Sequence, residues 1–198
     1  MGQLIYSGIM SLDGYTADAA GGFDWAVPDP AVHAAINELQ RGIGTHLYGR
    51  RMYEVMSAWE TVPGPADPES LPAGLDDAVM ADFAVVWRGA EKIVYSRTLP
   101  AVHTTRTRLE RRFDTDAVAR LKSATPHDLS VSGPHLAAQA ITAGLVDEYQ
   151  LVVTPVLVGG GTAFFPPGVA LPLTLVEERR FDSGTVLLRY RTSGAARP

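Results

Sequence analysis

The chain has 198 residues, 46% of them hydrophobic and 20% charged, which is enough to bury a core and is near the usual size of one domain. Its net charge of -5 comes from acids and bases mixed along the whole length, so no basic run favours nucleic acid as a partner. The lack of cysteine excludes disulfides, thiolate zinc sites and cysteine nucleophiles, and it fits a cytoplasmic protein.

Neither secretion nor membrane insertion is expected for this chain. Its first residues carry no basic stretch followed by an apolar run, and no apolar segment approaches the roughly 20 residues that span a bilayer. We therefore predict a single domain over residues 1–198, of which only residues 193–198 have the small polar composition of a frayed end.

The first part of the chain predicts a strand, a loop and a helix. The buried strand covers residues 4–10 and the glycine-containing loop covers residues 19–24. Asp29 followed by Pro30 is typical of a helix start, and the helix is predicted over about 30–42. Its apolar face is expected to consist of Val32, Ile36, Leu39 and Ile43.

The middle of the chain continues this alternation. A short strand over 45–48 leads through Gly49 into a second helix, and a proline-rich surface connection follows over 63–72. The next elements are a helix, a strand over 92–96, and a helix capped by Asp114. The apolar face of the first helix is formed by Leu71, Leu75, Val79 and Phe83, and the capped helix carries Val118 and Leu121.

The last third predicts how the sheet is built. A strand over 129–132 is followed by a helix over 134–143 that Gly144 closes, and an almost continuous apolar strand then covers 149–158. Two final strands, over about 171–181 and 185–191, are joined by a short loop that suits a hairpin. We therefore predict an α/β fold with a mixed, mainly parallel sheet.

Three turns suit phosphate groups. Gly133 lies between a strand and a helix that begins with Pro134, so a pyrophosphate could approach free backbone N–H groups there. Gly49 opens another helix beside Arg50 and Arg51, whose guanidinium groups match phosphate oxygens. In the third turn, Ser96 and Thr98 flank Arg97, as expected for a terminal phosphate such as the 2′-phosphate of NADPH. Because all three turns follow predicted strands, we expect them to line one edge of the sheet.

Several motifs occur in the order found in a known family. The motifs are Ser11-Leu12-Asp13-Gly14-Tyr15, Gly49-Arg50-Arg51, Ser96-Arg97-Thr98, Ser132-Gly133-Pro134, Gly144-Leu145-Val146-Asp147-Glu148 and Pro155-Val156-Leu157-Val158-Gly159-Gly160-Gly161. With these motifs the chain resembles the dihydrofolate reductase-like proteins, most closely the reductase domain of riboflavin biosynthesis and its stand-alone bacterial relatives, over roughly residues 3 to 191. The resemblance implies a three-layer α/β/α fold, NADPH as hydride donor, a small heterocyclic substrate and a homodimer.

The resemblance also implies positions for cofactor binding. Ile9 and Met10 would border the nicotinamide, and Arg50 and Arg51 the phosphates. The other implied cofactor positions are Gly49 in the turn of these two arginines, Ser96, Arg97 and Thr98 at the adenosine phosphate, and Ser132, Gly133, Pro134, His135 and Leu136 at the pyrophosphate. Two positions depart from the family pattern: Ser132 replaces the first glycine of a usual doublet, and Met52 replaces a threonine. The ligands of the zinc deaminase that accompanies this reductase in some riboflavin enzymes are absent, so only reduction is expected.

The substrate side leaves alternatives open. Asp13, Asp24 and Asp29 are candidates for the proton donor, and the resemblance favours Asp13 as catalytic and substrate-binding residue. Asp29 is displaced by one position from the acid of dihydrofolate reductases proper and is better interpreted as a helix cap. Trp25, Tyr53 and Phe164 are candidate walls of the ring pocket, although such aromatic residues are more often core.

The glycines at 159–161 allow close passage of a phosphate or simply end a strand, and the sequence does not choose between these roles. The favoured function is an NADPH-dependent reductase acting on a ring such as 5-amino-6-(5-phosphoribosylamino)uracil. The alternatives are dihydrofolate reductase proper and a non-catalytic NADP-binding protein.

Overall fold

The computed structural model describes residues 2–62 and 77–193 of the chain. The strands are β1 Leu4–Ser11, β2 Tyr15–Ala17, β3 Ile43–Gly49, β4 Glu91–Tyr95, β5 Thr107–Glu110, β6 Asp128–Ser132, β7 Glu148–Thr154, β8 Thr162–Ala163, β9 Leu173–Arg180 and β10 Val186–Thr192. The α-helices are α1 Pro30–Gln40, α2 Arg50–Met56, α3 Asp77–Gly89, α4 Thr115–Ala124 and α5 Pro134–Thr142, with 3-10 turns at Asp24–Ala26 and Ser57–Glu60.

The main sheet has the strand order β5-β4-β3-β6-β1-β7-β10-β9. The strands from β5 to β7 pair in parallel, whereas β10 pairs antiparallel with both β7 and β9. Strands β2 and β8 form a separate pair. The predicted mixed, mainly parallel sheet is therefore confirmed.

Helices cover both faces of the sheet, which gives three layers. On one face, α1 packs on β7 and β10 through Val32 and Val152, and α2 and α3 pack on β3 and β4. On the other face, α4 and α5 contribute Val118 and Ala137 to a core that includes Leu47 and Tyr149. Among the described residues, no helix is long and apolar enough to cross a membrane.

Two element ends differ from the sequence prediction. Helix α1 ends at Gln40, and Ile43 begins β3 instead of extending the helical face. Gly42, a poor helix former, lies between the two elements. Strand β7 ends at Thr154 and not at 158, because Pro155 has no N–H to donate to the sheet.

Other predictions are confirmed, and some short strands were missed. Asp114 caps α4, Gly184 adopts a φ of 85° in the β9–β10 hairpin, and Phe83 is buried in α3. The proline-rich connection, the tail beyond 193, Leu71 and Leu75 lie outside the described residues. The strands β2, β5 and β8 were not predicted, since each has four residues or fewer.

Candidate functional site

The three turns that were predicted to suit phosphates lie together at the carboxyl edge of the sheet. They follow β3, β4 and β6, which are parallel neighbours with β3 in the middle. In the register of these strands, Gly49 lies opposite Tyr95, and Tyr48 lies opposite Ser132. Strand β1 pairs with β6 on its other side, so the loop after Ser11 adjoins the same edge.

The turn at Gly133 is open to an anion and requires glycine. Gly133 has a φ of 92°, which side chains other than glycine rarely tolerate, and it is the N-cap of α5 without any capping side chain. An added Cβ would lie 3.3 Å from the Cβ of Met52. Pro134 holds the first helical position, and Leu136 is buried, so this segment can offer a ligand backbone N–H groups but not the Leu136 side chain.

The arginines after Gly49 link two of the turns. Arg50 Nε donates to Glu54 Oε1 at 2.7 Å, and Arg50 Nη1 donates to Thr98 Oγ1 at 3.1 Å. Arg51 is exposed. The first guanidinium is thus already oriented toward the 96–98 turn, and the second faces solvent.

Ser96 builds its turn. It is only 8% exposed, and its hydroxyl oxygen accepts the N–H groups of Thr98 at 3.2 Å and Leu99 at 2.9 Å. The hydroxyl hydrogen remains free to donate, so its role as a cofactor ligand stays a prediction. Arg97 and Thr98 are exposed at the same turn and remain suitable.

Arg111 stabilises the 96–98 turn by hydrogen bonds to its backbone, and this residue was not among the predicted site residues. Its Nη1 donates to the carbonyl oxygens of Ser96 at 3.3 Å and Leu99 at 2.6 Å. No local motif marks this arginine, because its partners lie on a different strand connection. A cavity of about 400 Å³ adjoins it, and its lining is Tyr95, Arg108, Glu110, Arg111, Arg112, Asp114, Ala117 and Leu121.

The end of β1 presents one residue to each face of the sheet. Ile9 packs with the α1 cluster, whereas Met10 packs with the core under α4 and α5. This alternation follows from the period of a strand. The side chains of Ile9 and Met10 therefore lie on opposite faces of the sheet. A nicotinamide ring on one face would contact only one of these two side chains.

Asp13 connects the loop after β1 to the loop after β7 by hydrogen bonds. Its carboxylate accepts hydrogen bonds from the Ser11 hydroxyl at 2.6 Å and from the N–H groups of Val158 at 3.2 Å and Gly159 at 2.7 Å. The Ser11 hydrogen bond, followed by those of the two backbone groups, lowers the pKa of Asp13 below its usual value. An acid that is held ionised in this way is poorly suited to deliver a proton.

Asp29 and Asp24 are the other two candidates for the proton donor. Asp29 caps α1, since its Oδ1 accepts the N–H groups of Ala31 and Val32, each at 2.9 Å. This confirms the interpretation of Asp29 as a helix cap. Asp24 is exposed at the start of a 3-10 turn.

Two of the three predicted aromatic walls belong to the core. Tyr53 is fully buried, and its hydroxyl accepts the His103 N–H at 2.9 Å. Phe164 is 1% exposed and stacks on Tyr6 with ring centroids 4.3 Å apart. Their burial favours the core role that the sequence analysis also gave for these aromatic residues. Trp25 is half-buried, and its indole N–H has no partner among the described residues.

Another aromatic pair joins α1 to the 3-10 turn after α2. His33, in the first turn of α1, contacts Trp59 with ring centroids 5.9 Å apart, and both residues are half-buried. Trp59 in turn packs on Phe83 of α3 at 4.6 Å. This pair could not be predicted from a local motif, since its members come from different elements.

The glycines after β7 have a structural explanation. A Cβ on Gly161 would lie 2.1 Å from the carbonyl oxygen of Ala17, so β2 approaches the backbone too closely for any side chain. Gly159 donates its N–H to Asp13. These residues hold the loops after β1 and β7 together, which favours the second of the two roles left open above.

Comparisons with known proteins agree with this geometry. The family model described as the RibD C-terminal domain matches residues 3–187. A protein of Bacillus subtilis strain 168, the uncharacterized protein YyaP, is 26% identical over 194 residues, which cover 97% of this chain and 96% of that protein.

Two solved structures show the same fold. A candidate riboflavin biosynthesis protein from Shewanella sp. PV-4 superimposes with a TM-score of 0.72 at 20% identity, covering 97% of this chain and 99% of that one. Dihydrofolate reductase from Enterococcus faecalis, solved with NADP(H) and an inhibitor named RAB-propyl, gives a TM-score of 0.62 at 13% identity and covers 98% of each chain. The three-layer architecture is thus that of the dihydrofolate reductase-like proteins.

Proposed function

The chain belongs to the RibD C-terminal domain family, and from this membership we propose that it is an NADPH-dependent reductase that transfers a hydride to a small heterocyclic substrate. The substrate we favour is a ribosylaminopyrimidine such as 5-amino-6-(5-phosphoribosylamino)uracil. One observation carries the proposal: three turns suited to phosphate follow three adjacent parallel strands. Open α/β sheets bind ligands at this edge.

The residues at this edge fit a phosphorylated dinucleotide. The start of α5, which no side chain caps, offers backbone N–H groups and the positive end of the helix dipole to the pyrophosphate. A side chain at Gly133 would crowd Met52 in this turn. Arg50 and Arg51 neutralise phosphate charge, and Arg97 with Thr98 receives the 2′-phosphate. His135 contributes only backbone. When bound, NADPH supplies the hydride.

The substrate ring would lie beside the end of β1. Ile9 or Met10, according to the face of the sheet that the substrate occupies, excludes water there. Trp25 is half-buried in a 3-10 turn that contacts β1, and we propose it as a wall of the pocket. We propose Asp13 as a positioning residue that fixes the loop after β1 through Ser11 and Gly159. Since its carboxylate is held ionised, the proton that must accompany the hydride onto the substrate comes from water.

Dihydrofolate reductase proper is the less favoured alternative. The acid that its pattern requires is displaced by one position here, and Asp29 is committed to capping α1. A binding protein without catalysis is the other alternative.

Calorimetric titration with NADPH and with NADH tests the cofactor, and we expect NADPH to bind more tightly. Absence of NADPH binding would reject the proposal. Oxidation of NADPH should then be followed with ribosylaminopyrimidines and with dihydrofolate. Turnover with the pyrimidine supports the reductase proposed here, turnover with dihydrofolate supports the first alternative, and binding without turnover supports the second.

A further inference from the structure

A polar cleft lies at the amino edge of the sheet, opposite the edge that holds the three turns. Its volume is about 240 Å³, and its lining includes Asp128 and Glu148, which are the first residues of β6 and β7. The lining also includes Glu38 and Leu39, so the cleft opens on the face of the sheet that α1 covers. Sites for drug-sized ligands have volumes of roughly 300 to 1,000 Å³, so this cleft suits a smaller molecule.

Gln150 lines this cleft with a hydrogen-bond acceptor that has no partner among the described residues. The residue is 2% exposed, and its Nε2 donates to Glu148 Oε1 at 3.0 Å. Because an ionised carboxylate only accepts, this contact fixes the amide nitrogen and leaves Oε1 without a donor. Native proteins satisfy nearly all buried polar groups, since an unpaired one opposes folding. The oxygen therefore indicates a ligand that brings an N–H group.

Arg191 presents part of its guanidinium to the same cleft. Its Nε donates to Glu148 Oε2 at 3.1 Å, and among the described residues its two terminal nitrogens have no hydrogen-bond partner. Glu148 is almost fully buried and also accepts from Arg189 Nε at 2.9 Å, so it holds Arg191 in place. A guanidinium that is fixed at Nε keeps a pair of N–H groups, which matches the two oxygens of a carboxylate.

The other end of the cleft is acidic. Asp128 accepts the Gln3 N–H through Oδ1 at 2.8 Å, and its second carboxylate oxygen has no partner within the described part of the chain. Strands β1 and β7 lie between β6, which carries Asp128, and β10, which carries Arg191. The two backbones are thus three strand spacings, or about 14 Å, apart. The apolar side chain of Ile5 on β1 lines the cleft between them. An occupant therefore needs an anion at one end, a cation at the other and an apolar stem.

We propose that this cleft binds a basic α-amino acid of the lysine or arginine type. The carboxylate of this ligand pairs with Arg191, and its α-ammonium donates to Gln150 Oε1 on the adjacent strand. Its aliphatic stem crosses Ile5, and the cation at the end of its side chain pairs with Asp128. The cleft and the proposed cofactor turns lie at opposite edges of the sheet, so this is a second site that does not depend on the proposed function.

Calorimetric titration with L-arginine and L-lysine tests the site. We expect one molecule of either amino acid to bind per chain. L-norleucine, which lacks the cation of the side chain, and cadaverine, which lacks the carboxylate, should each bind about 10-fold more weakly or worse. Saturating NADPH should leave the affinity for L-arginine unchanged. Displacement of L-arginine by NADPH, or no binding of either amino acid, would overturn the proposal, whereas L-arginine binding without NADPH binding would overturn only the proposed reductase.

Two charge variants locate the ligand. Asp128→Asn keeps an oxygen that can accept the Gln3 N–H and removes the negative charge, and Arg191→Gln removes the guanidinium. Each should weaken L-arginine by about 10-fold or more. Asp116→Asn, at an exposed acid on α4, is the matched control and should leave the affinity unchanged. Unchanged affinity in both Asp128→Asn and Arg191→Gln would contradict the proposed site.

A third variant separates binding from a merely structural role of the buried amide. Gln150→Met has a side chain of similar length and removes the free acceptor. We expect it to weaken both L-arginine and L-norleucine, because each ligand has the α-ammonium group, and to leave cadaverine unchanged. Thermal unfolding without ligand shows whether the variant is folded. Lower stability with unchanged affinity for L-arginine would mean that Gln150 only supports Glu148, and this outcome would overturn its assignment as a ligand-binding residue.

Discussion

Helices α1 and α4 begin with aspartates, whereas α2 and α5 begin with glycines. The carboxylates of Asp29 and Asp114 accept N–H groups of the first helical turn, and no side chain does so at Gly49 or Gly133. An unpaired N–H group at a helix start is satisfied by a cap, by water or by a ligand. Two helix starts are therefore satisfied by a side chain of the protein, and the N–H groups of the other two have no such partner, as the proposed cofactor site requires.

The substitution Gly133→Ala should have the largest effect on binding. A Cβ at a φ of 92° is strained and lies 3.3 Å from Met52, so the turn has to shift and the N–H groups of α5 move with it. Loss of two charge-assisted hydrogen bonds corresponds to about 3 to 6 kcal/mol of NADPH binding free energy. Calorimetric titration measures this loss.

Gly144→Ala is the matched control, because it separates strain from binding. Gly144 follows the other end of α5 with a φ of 66°, and an added Cβ would meet no atom within 4 Å. We expect a loss of stability of about 1 kcal/mol in thermal unfolding and unchanged NADPH affinity. If both variants bind NADPH equally well, the open start of α5 does not hold the cofactor.

The substitution Arg97→Ala should have the next largest effect. This exposed arginine follows β4 at the same sheet edge, and removing it should weaken NADPH by about 1 to 3 kcal/mol and NADH by less, because only NADPH carries the extra phosphate. Arg41→Ala, at the far end of the capped helix α1, is the control and should leave both affinities unchanged. Equal losses for both cofactors in Arg97→Ala would contradict the assignment to the 2′-phosphate.

The open turns could be predicted from the sequence because their chemistry is local. A glycine between a strand and a helix, or a proline in the first turn, is visible within a few residues, and the strand order then places Gly49 and Gly133 side by side. Contacts between distant segments could not be predicted. How the loops pack in three dimensions decides the hydrogen bond between Asp13 and Gly159, the hydrogen bonds of Arg111 and the burial of Tyr53.

The substitution Asp29→Ala, at the capped start of α1, should reduce the stability of the protein without changing its affinity for NADPH. Loss of the hydrogen bonds to Ala31 and Val32 is expected to lower the free energy of unfolding by about 1 kcal/mol. Urea denaturation measures this change, and NADPH titration of the same variant should match wild type. Reduced NADPH affinity with unchanged stability would reverse the roles assigned to the two kinds of helix start.

The smallest expected effect is that of Asp29→Asn, which keeps a capping oxygen and removes the charge. Asparagine caps about as well as aspartate, so stability at pH 7 should change by only a few tenths of a kcal/mol. The Ser183 hydroxyl and the N–H groups of Val32 and Ala31 lower the pKa of Asp29. Its stabilising contribution is therefore complete above the unfolded value of about 3.9 and is lost as the pH falls through the lower folded value. Denaturation at several pH values between about 5 and 2 should show wild type losing more stability on acidification than Asp29→Asn, and parallel curves would mean that the charge of this cap contributes nothing.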